Sequence, residues 1–192
     1  NIYLSLNSET KTMVAGLKLA TSDEWTYITR ELESVTAGYF VVRPSEVFGA
    51  WENATIYLPK EEMVMEDISK MEGVTDTGLS FPTQNQVNVA EKVGKVSDFV
   101  FTGDFTPSTV GNNGHIAFGI ASESTEGNPT GYSDDWKANA ARVNFYRDKI
   151  RIATTASDLE EVIPSDISFA VGNTYNIYLS LNSETKTMVA GL

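Results

Sequence analysis

An all-β fold of short antiparallel strands is predicted by three features of this 192-residue chain. Apolar and polar residues alternate with period two through most segments, clusters of Gly, Asn, Ser and Pro interrupt them at short intervals, and only one segment changes to helical spacing. With 41% hydrophobic and 10% aromatic residues the chain is too rich in core formers for disorder. Its length suits one β-domain with an appendage.

The strands follow in order. In "NIYLSL" Ile2, Leu4 and Leu6 share a face, and "TMVAGLKLA" returns after the turn "NSETK", which makes a hairpin. "WTYITREL" sets Trp25, Tyr27 and Thr29 on one side, "AGYFVVRPS" reads as a strand ending at Pro44, and "NATIYLP" as one ending at Pro59. Val64, Ile68 and Met71 then recur at i, i+4 and i+7, with acids in the first turn and Gly73 placed to cap, so a helix is predicted over Lys60–Glu72. Beyond the loop "VTDTGLSFPTQNQ" the strand patterns resume as "VNVAEKV", "VSDFVFTGDF", "GHIAFGIAS", "ARVNFYRDKIRIATT", "ISFAVG" and "TYNIYLSL".

The most specific feature is a repeat. "NIYLSLNSETKTMVAGL" fills Asn1–Leu17 and returns letter for letter as Asn176–Leu192. Such identity implies a recent tandem repeat or a deliberate cut. An array with a period of 175 residues, the offset from Asn1 to Asn176, would give a window that starts and finishes inside one hairpin. Residues 1–59 then read as the C-terminal third of one repeat, 60–78 as a helix-bearing linker, and 79–192 as the N-terminal two-thirds of the next.

Read from Leu79 through Leu192 and on into Lys18–Pro59, the chain resembles the concanavalin A-like, laminin G-like jelly-roll superfamily. "DFVFTGDF" is similar to its opening strand, "GHIAFGIA" to its next core strand, "ARVNFYRDKIRIA" to its central hairpin, and "AGYFVVRPS" and "AWENATIYLP" to its closing strands. The resemblance implies an antiparallel β-sandwich in permuted register. Two copies of one hairpin then compete for one slot, and the displaced copy is expected to act as a donor strand for a neighbouring chain, head to tail. The plainer alternative is that the overlap marks only where an array is cut. Ile2, Leu4, Leu6, Ile177, Leu179 and Leu181, with Val64, Ile68 and Met71 of the connecting helix, are the candidate assembly residues.

Composition narrows the partners. Against 26 acidic residues stand 14 basic ones, and the net charge of −12 repels nucleic-acid backbones and anionic lipid heads. Without cysteine there are no disulfides, thiolate metal sites or cysteine nucleophiles. No apolar run reaches the roughly 18 residues of a membrane-spanning helix, so membrane insertion is not expected. A structural protein of an extracellular cell surface, with itself as partner, is the leading expectation.

The runner-up is a carbohydrate-binding or adhesive module. In the loop "GNPTGYSDDWKANAARVNF" Tyr132 and Trp136 could stack on a sugar ring while Asp134, Asp135 and Asn139 offer hydrogen bonds, and Trp51 could join them. A local core plug is the competing role for such a Trp. Asp104, Asn112 and Asn113, on turns beside strands, are the candidate ligands of a structural calcium, although the dense acidic spacing of a strong site is absent and turn chemistry also explains them. His115 has no partner at zinc-ligand spacing. Glu31 with Glu33, and Asp158 with Glu160 and Glu161, share faces but sit among turn residues without an aromatic cleft, so an enzyme is not expected. "NAT" at Asn53–Thr55 matches an N-glycosylation acceptor, although short sequons arise by chance and its place on a predicted strand suffices to explain it.

Overall fold

A computed structural model describes residues 4–7, 12–15, 27–31, 37–59, 71–79, 87–121, 142–147, 149–153, 160–164, 169–182 and 187–191. All regular structure among them is β. The strands are β1 (Leu4–Asn7), β2 (Thr12–Ala15), β3 (Tyr27–Glu31), β4 (Gly38–Leu58), β5 (Glu72–Val74), β6 (Asn88–Val89) and β7 (Lys95–Val96). They continue as β8 (Phe99–Ala121), β9 (Arg142–Tyr146), β10 (Lys149–Ala153), β11 (Glu160–Pro164), β12 (Tyr175–Asn182) and β13 (Thr187–Gly191). Every pairing is antiparallel.

The centre is a long ribbon in which β4 pairs with β8 from Tyr39↔Ala121 to Tyr57↔Val100. β9, β10 and β11 extend the sheet beside the second half of β8, while β12, β13 and β3 extend it beside the first half. β5, β6 and β7 pair with the other edge of β4. Residues on either side of the expected linker therefore share one ladder.

Pro44 does not end a strand as the sequence suggests. It lies inside β4 opposite Ile116, immediately before a register shift between Ser45 and Val47. A proline is tolerated beside such an irregularity because the ladder there already forgoes regular bonds. Across the shift, Gly111–Gly114 stand opposite the single Glu46, which takes a φ of 56°. Gly114 permits this crossing: a Cβ there would stand 2.5 Å from Val47 Cγ2. Further shifts follow between Phe48 and Gly49 and between Glu52 and Thr55.

These irregularities let the ribbon fold back on itself. Phe40 stands opposite Ile120 and Phe101 opposite Ile56, at distant rungs of the ladder, yet their rings stack with centroids 5.3 Å apart. Phe40 also meets Phe99 edge-on at 5.0 Å, and Phe101 meets Phe118 at 5.2 Å. The two halves thus close on one aromatic core that also buries Val42, Ile56, Phe145, Ile150, Tyr175, Ile177 and Leu179. Offset and edge-on ring pairs add about 0.5–1.5 kcal/mol each beyond the area they bury.

The C-terminal boundary of the expected helix over Lys60–Glu72 is also corrected. Glu72–Val74 is strand β5, paired to Leu58, Tyr57 and Ile56, so Gly73 caps no helix. Its missing side chain admits the Tyr57 ring, whose Cε1 would lie 3.1 Å from a Cβ. Met71 points into the core and is 8% exposed, whereas Val64 and Ile68 lie outside the described residues. Two shorter expectations change as well. "AEKV" is a turn between β6 and β7, closed by Val93 N–H donating to Ala90 O at 3.1 Å. The segment after Phe169 is another turn, closed by Asn173 N–H donating to Ala170 O at 3.3 Å.

Candidate functional site: the hairpin slot

The two copies of the repeated segment form hairpins in one register. In β1–β2 the pairs run from Leu4↔Ala15 to Asn7↔Thr12, and in β12–β13 the equivalent pairs run from Leu179↔Ala190 to Asn182↔Thr187. Their placements differ. β1 and β2 make a separate two-stranded sheet, whereas β12 and β13 fill a slot between β8 and β3. β13 is thereby bonded to β3 through Thr187↔Glu31 to Gly191↔Tyr27, although the copy that precedes β3 along the chain is β2. β2 itself lies close to β13 and β3.

β12 is held on both faces. Ile177 and Leu179 join the aromatic core, and Tyr178 and Ser180 on the opposite face are buried too. Burial raises the pKa of the Tyr178 phenol above its ordinary range. The leading end of β12 carries polar pins. Thr174 Oγ1 lies 2.8 Å from Thr106 Oγ1, and Tyr175 Oη accepts the Ala170 N–H at 2.8 Å. Asn176 Nδ2 donates to Asp104 Oδ1 at 2.5 Å, while Asn53 Nδ2 donates to Asp104 Oδ2 at 2.7 Å.

Asp104 thus faces both neighbours of β8, directly opposite Asn176 on β12 and Glu52 on β4. Asn112 and Asn113, the other candidate calcium ligands, stand opposite Glu46, six residues from Glu52 along β4 and roughly 20 Å of strand away. The structure does not bring the three together. Among the described residues no group of three or more His, Asp or Glu is placed to hold a metal ion. In the sequon, Asn53 adopts a φ of 54° and uses for Asp104 the same nitrogen that a glycan would modify.

Trp51 is half-buried, its ring 4.8 Å from Phe105 and 5.8 Å from both Phe101 and Phe118, so it seals the edge of the core. With Pro44, Val47, Phe48 and Ile116 it lines a small apolar recess. Tyr132, Trp136, Asp134, Asp135 and Asn139 lie outside the described residues, as do Ile2, Glu33 and Asp158. Leu4, Leu6 and Leu181 are placed on β1 and β12 by their backbone. Glu31 is on β3 and Glu160 and Glu161 are on β11, at opposite ends of the strand order.

Sequence reasoning missed a cationic row on the sheet face away from the aromatic core. Register aligns Arg43, Ala117, Asn144 and Arg151 across β4, β8, β9 and β10, and Arg142 shares their face. At the end of the row Tyr146 packs against His115 at 4.8 Å, with Arg151 Cζ and Lys149 Nζ over its ring at 5.1 and 5.4 Å. Desolvation lowers the pKa of His115, its hydrogen bond with the Asn113 carbonyl opposes this, and Arg43 reinforces the lowering. The available signal was the period-two run Arg142, Asn144, Tyr146 and the pair Lys149, Arg151.

Comparison with known protein families, with characterised proteins and with solved structures finds no match for this chain.

Proposed function

We propose that this protein is a structural repeat unit of an extracellular, filament-forming or tandem-repeat surface protein, joined head to tail through the duplicated hairpin. Its unit is a concanavalin A-like β-sandwich in permuted register. One observation carries this reading: two identical segments fold to the same hairpin, and the slot beside β3 holds the copy remote from it in sequence. Because β1–β2 has the same sequence and register, whatever β8 and β3 recognise in one copy is present in the other. A hairpin outside the sheet of its own chain is then available to the slot of the next. Such an exchange is heterologous and extends into an open chain of subunits.

Light scattering after size exclusion, with electron microscopy of the same fractions, tests this on the full chain and on one lacking Asn1–Leu17. Open polymers are expected from the full chain and compact monomers from the shortened one. Monomers from both would overturn the exchange.

A further inference from the structure

We propose that Asp104, held by Asn53, is the register-setting seat for the asparagine that leads each copy of the hairpin: Asn176 of the same chain or Asn1 of a second copy of this chain. The proposal rests on the exchange reading for Asn1 alone; for Asn176 it stands on the geometry.

The need for such a seat follows from the hairpin sequence. A strand can slip by two residues without turning its apolar face outward, since side chains alternate with period two. The alternating set here is Tyr175, Ile177, Leu179 and Leu181, of which the last three are aliphatic residues of similar volume. Tyr175 opposes a two-residue slip on this face, whereas the three aliphatic positions exchange one for another at little packing cost. The main-chain ladder is equally indifferent. Register is therefore held by Tyr175, by the buried Tyr178 and Ser180 on the opposite face, whose sizes a slip would mismatch, and by the polar pairs at the leading end of the strand.

The polar pairs add to this selection. In the observed register Asp104 is directly opposite Asn176, and its carboxylate takes one amide from β12 and one from β4. A slip in one direction sets Tyr178 opposite Asp104, with its hydroxyl at the far end of a ring. The other direction sets Thr174 there, whose shorter side chain offers one hydroxyl. A carboxylate only accepts, so each slip removes the amide it was matched to. Thr106 does not discriminate in this way, because a hydroxyl both donates and accepts and can bond a threonine or an asparagine. Asn53 completes the seat from the opposite flank, with its positive φ aiming the side chain at Asp104. Asn1 is the residue equivalent to Asn176 in the other copy.

The chain has no cysteine, so introduced pairs report register cleanly. Val100 is directly opposite Ser180, and opposed Cα atoms in an antiparallel pair stand about 4.5–5.5 Å apart, within disulfide reach. In the full chain, Val100→Cys is combined with Ser180→Cys for the observed register, and with Asn182→Cys or Tyr178→Cys for the two slips. With Asp104 present only the Ser180 combination should oxidise to a disulfide. Under Asp104→Ala, and independently under Asn176→Ala, the slipped combinations should gain about tenfold in yield, the factor a lost charge-assisted hydrogen bond of about 1.4 kcal/mol represents. Unchanged selectivity in both backgrounds, with tryptophan emission showing a folded chain, would overturn the seat. A second arm co-refolds full chains carrying Val100→Cys with full chains carrying Ser5→Cys, the equivalent of Ser180. An interchain disulfide that depends on Asp104 supports the proposal for Asn1. One that persists unchanged without Asp104 overturns the seat and leaves the exchange standing. If no interchain disulfide forms while Asp104 still governs the Ser180 pair, the exchange reading fails and the seat serves only Asn176.

Discussion

His115 is the chain's one histidine, which gives the pH response of stability an identifiable source. Burial and the nearby arginines lower its folded pKa below the ordinary 6.5, so the unfolded chain binds the proton more readily. The stabilising term is complete above pH 6.5 and is lost as pH falls from there through the lowered folded value. Urea midpoints should therefore drop between pH 7 and 5.5 in the natural chain and drop less in His115→Gln, the difference isolating the imidazole from the carboxylates. Single-residue chemistry was only partly legible beforehand. In the sequence Asp104 reads as a turn residue or a calcium ligand and Asn53 as a strand residue or a glycosylation acceptor, and neither reading points to the other. Their bond joins β8 to β4 across 51 positions of sequence, and such register belongs to the tertiary fold.

Individual elements are legible where alternation is strong and bounded by turns, as in β9, β10 and β12. By contrast, β8 reads as two strands with Asp104, Asn112 and Asn113 on turns and is in fact one strand through all three. Elements are less legible where tertiary pairing overrides local preference. Gly73 follows a helical spacing but is captured by Tyr57 of β4, and Pro44 lies within a strand because a bulge absorbs its missing N–H. Identity of sequence likewise did not reveal which hairpin is inserted. The two copies offer a matched comparison at this scale. Leu179 is fully buried within the eleven-stranded sheet, whereas its equivalent Leu4 belongs to a two-stranded one. Leu179→Ala should cost about 2–5 kcal/mol of unfolding free energy. Leu4→Ala should cost less than Leu179→Ala, since β1 belongs to a two-stranded sheet outside the eleven-stranded one. Equal losses in denaturant titrations would mean that both copies are packed alike.

For the whole molecule, the decisive relation is that β13 and β3 pair as neighbours while lying near opposite ends of the sequence. Leu192 is followed by Lys18 in a periodic reading just as Leu17 is here, so a rotated chain running from residue 80 to 192 and on through 18–79 keeps every residue of the eleven-stranded sheet. It should fold as a monomer with an unchanged tryptophan spectrum and a urea midpoint no lower than that of the natural chain. A lower midpoint would show that residues 1–17 contribute to the core. The β13–β3 ladder also fixes how the molecule answers tension. Its rungs run from Tyr27↔Gly191 to Thr187↔Glu31, so the strand leading in from residue 26 and the strand leading out to 192 meet at the same end of the ladder. A load applied through those two strands opens the ladder as a zipper, one pair at a time from Tyr27 and Gly191, instead of shearing all five at once. A covalent link between the same two strands closes that end, and the seam ceases to be where the protein tears.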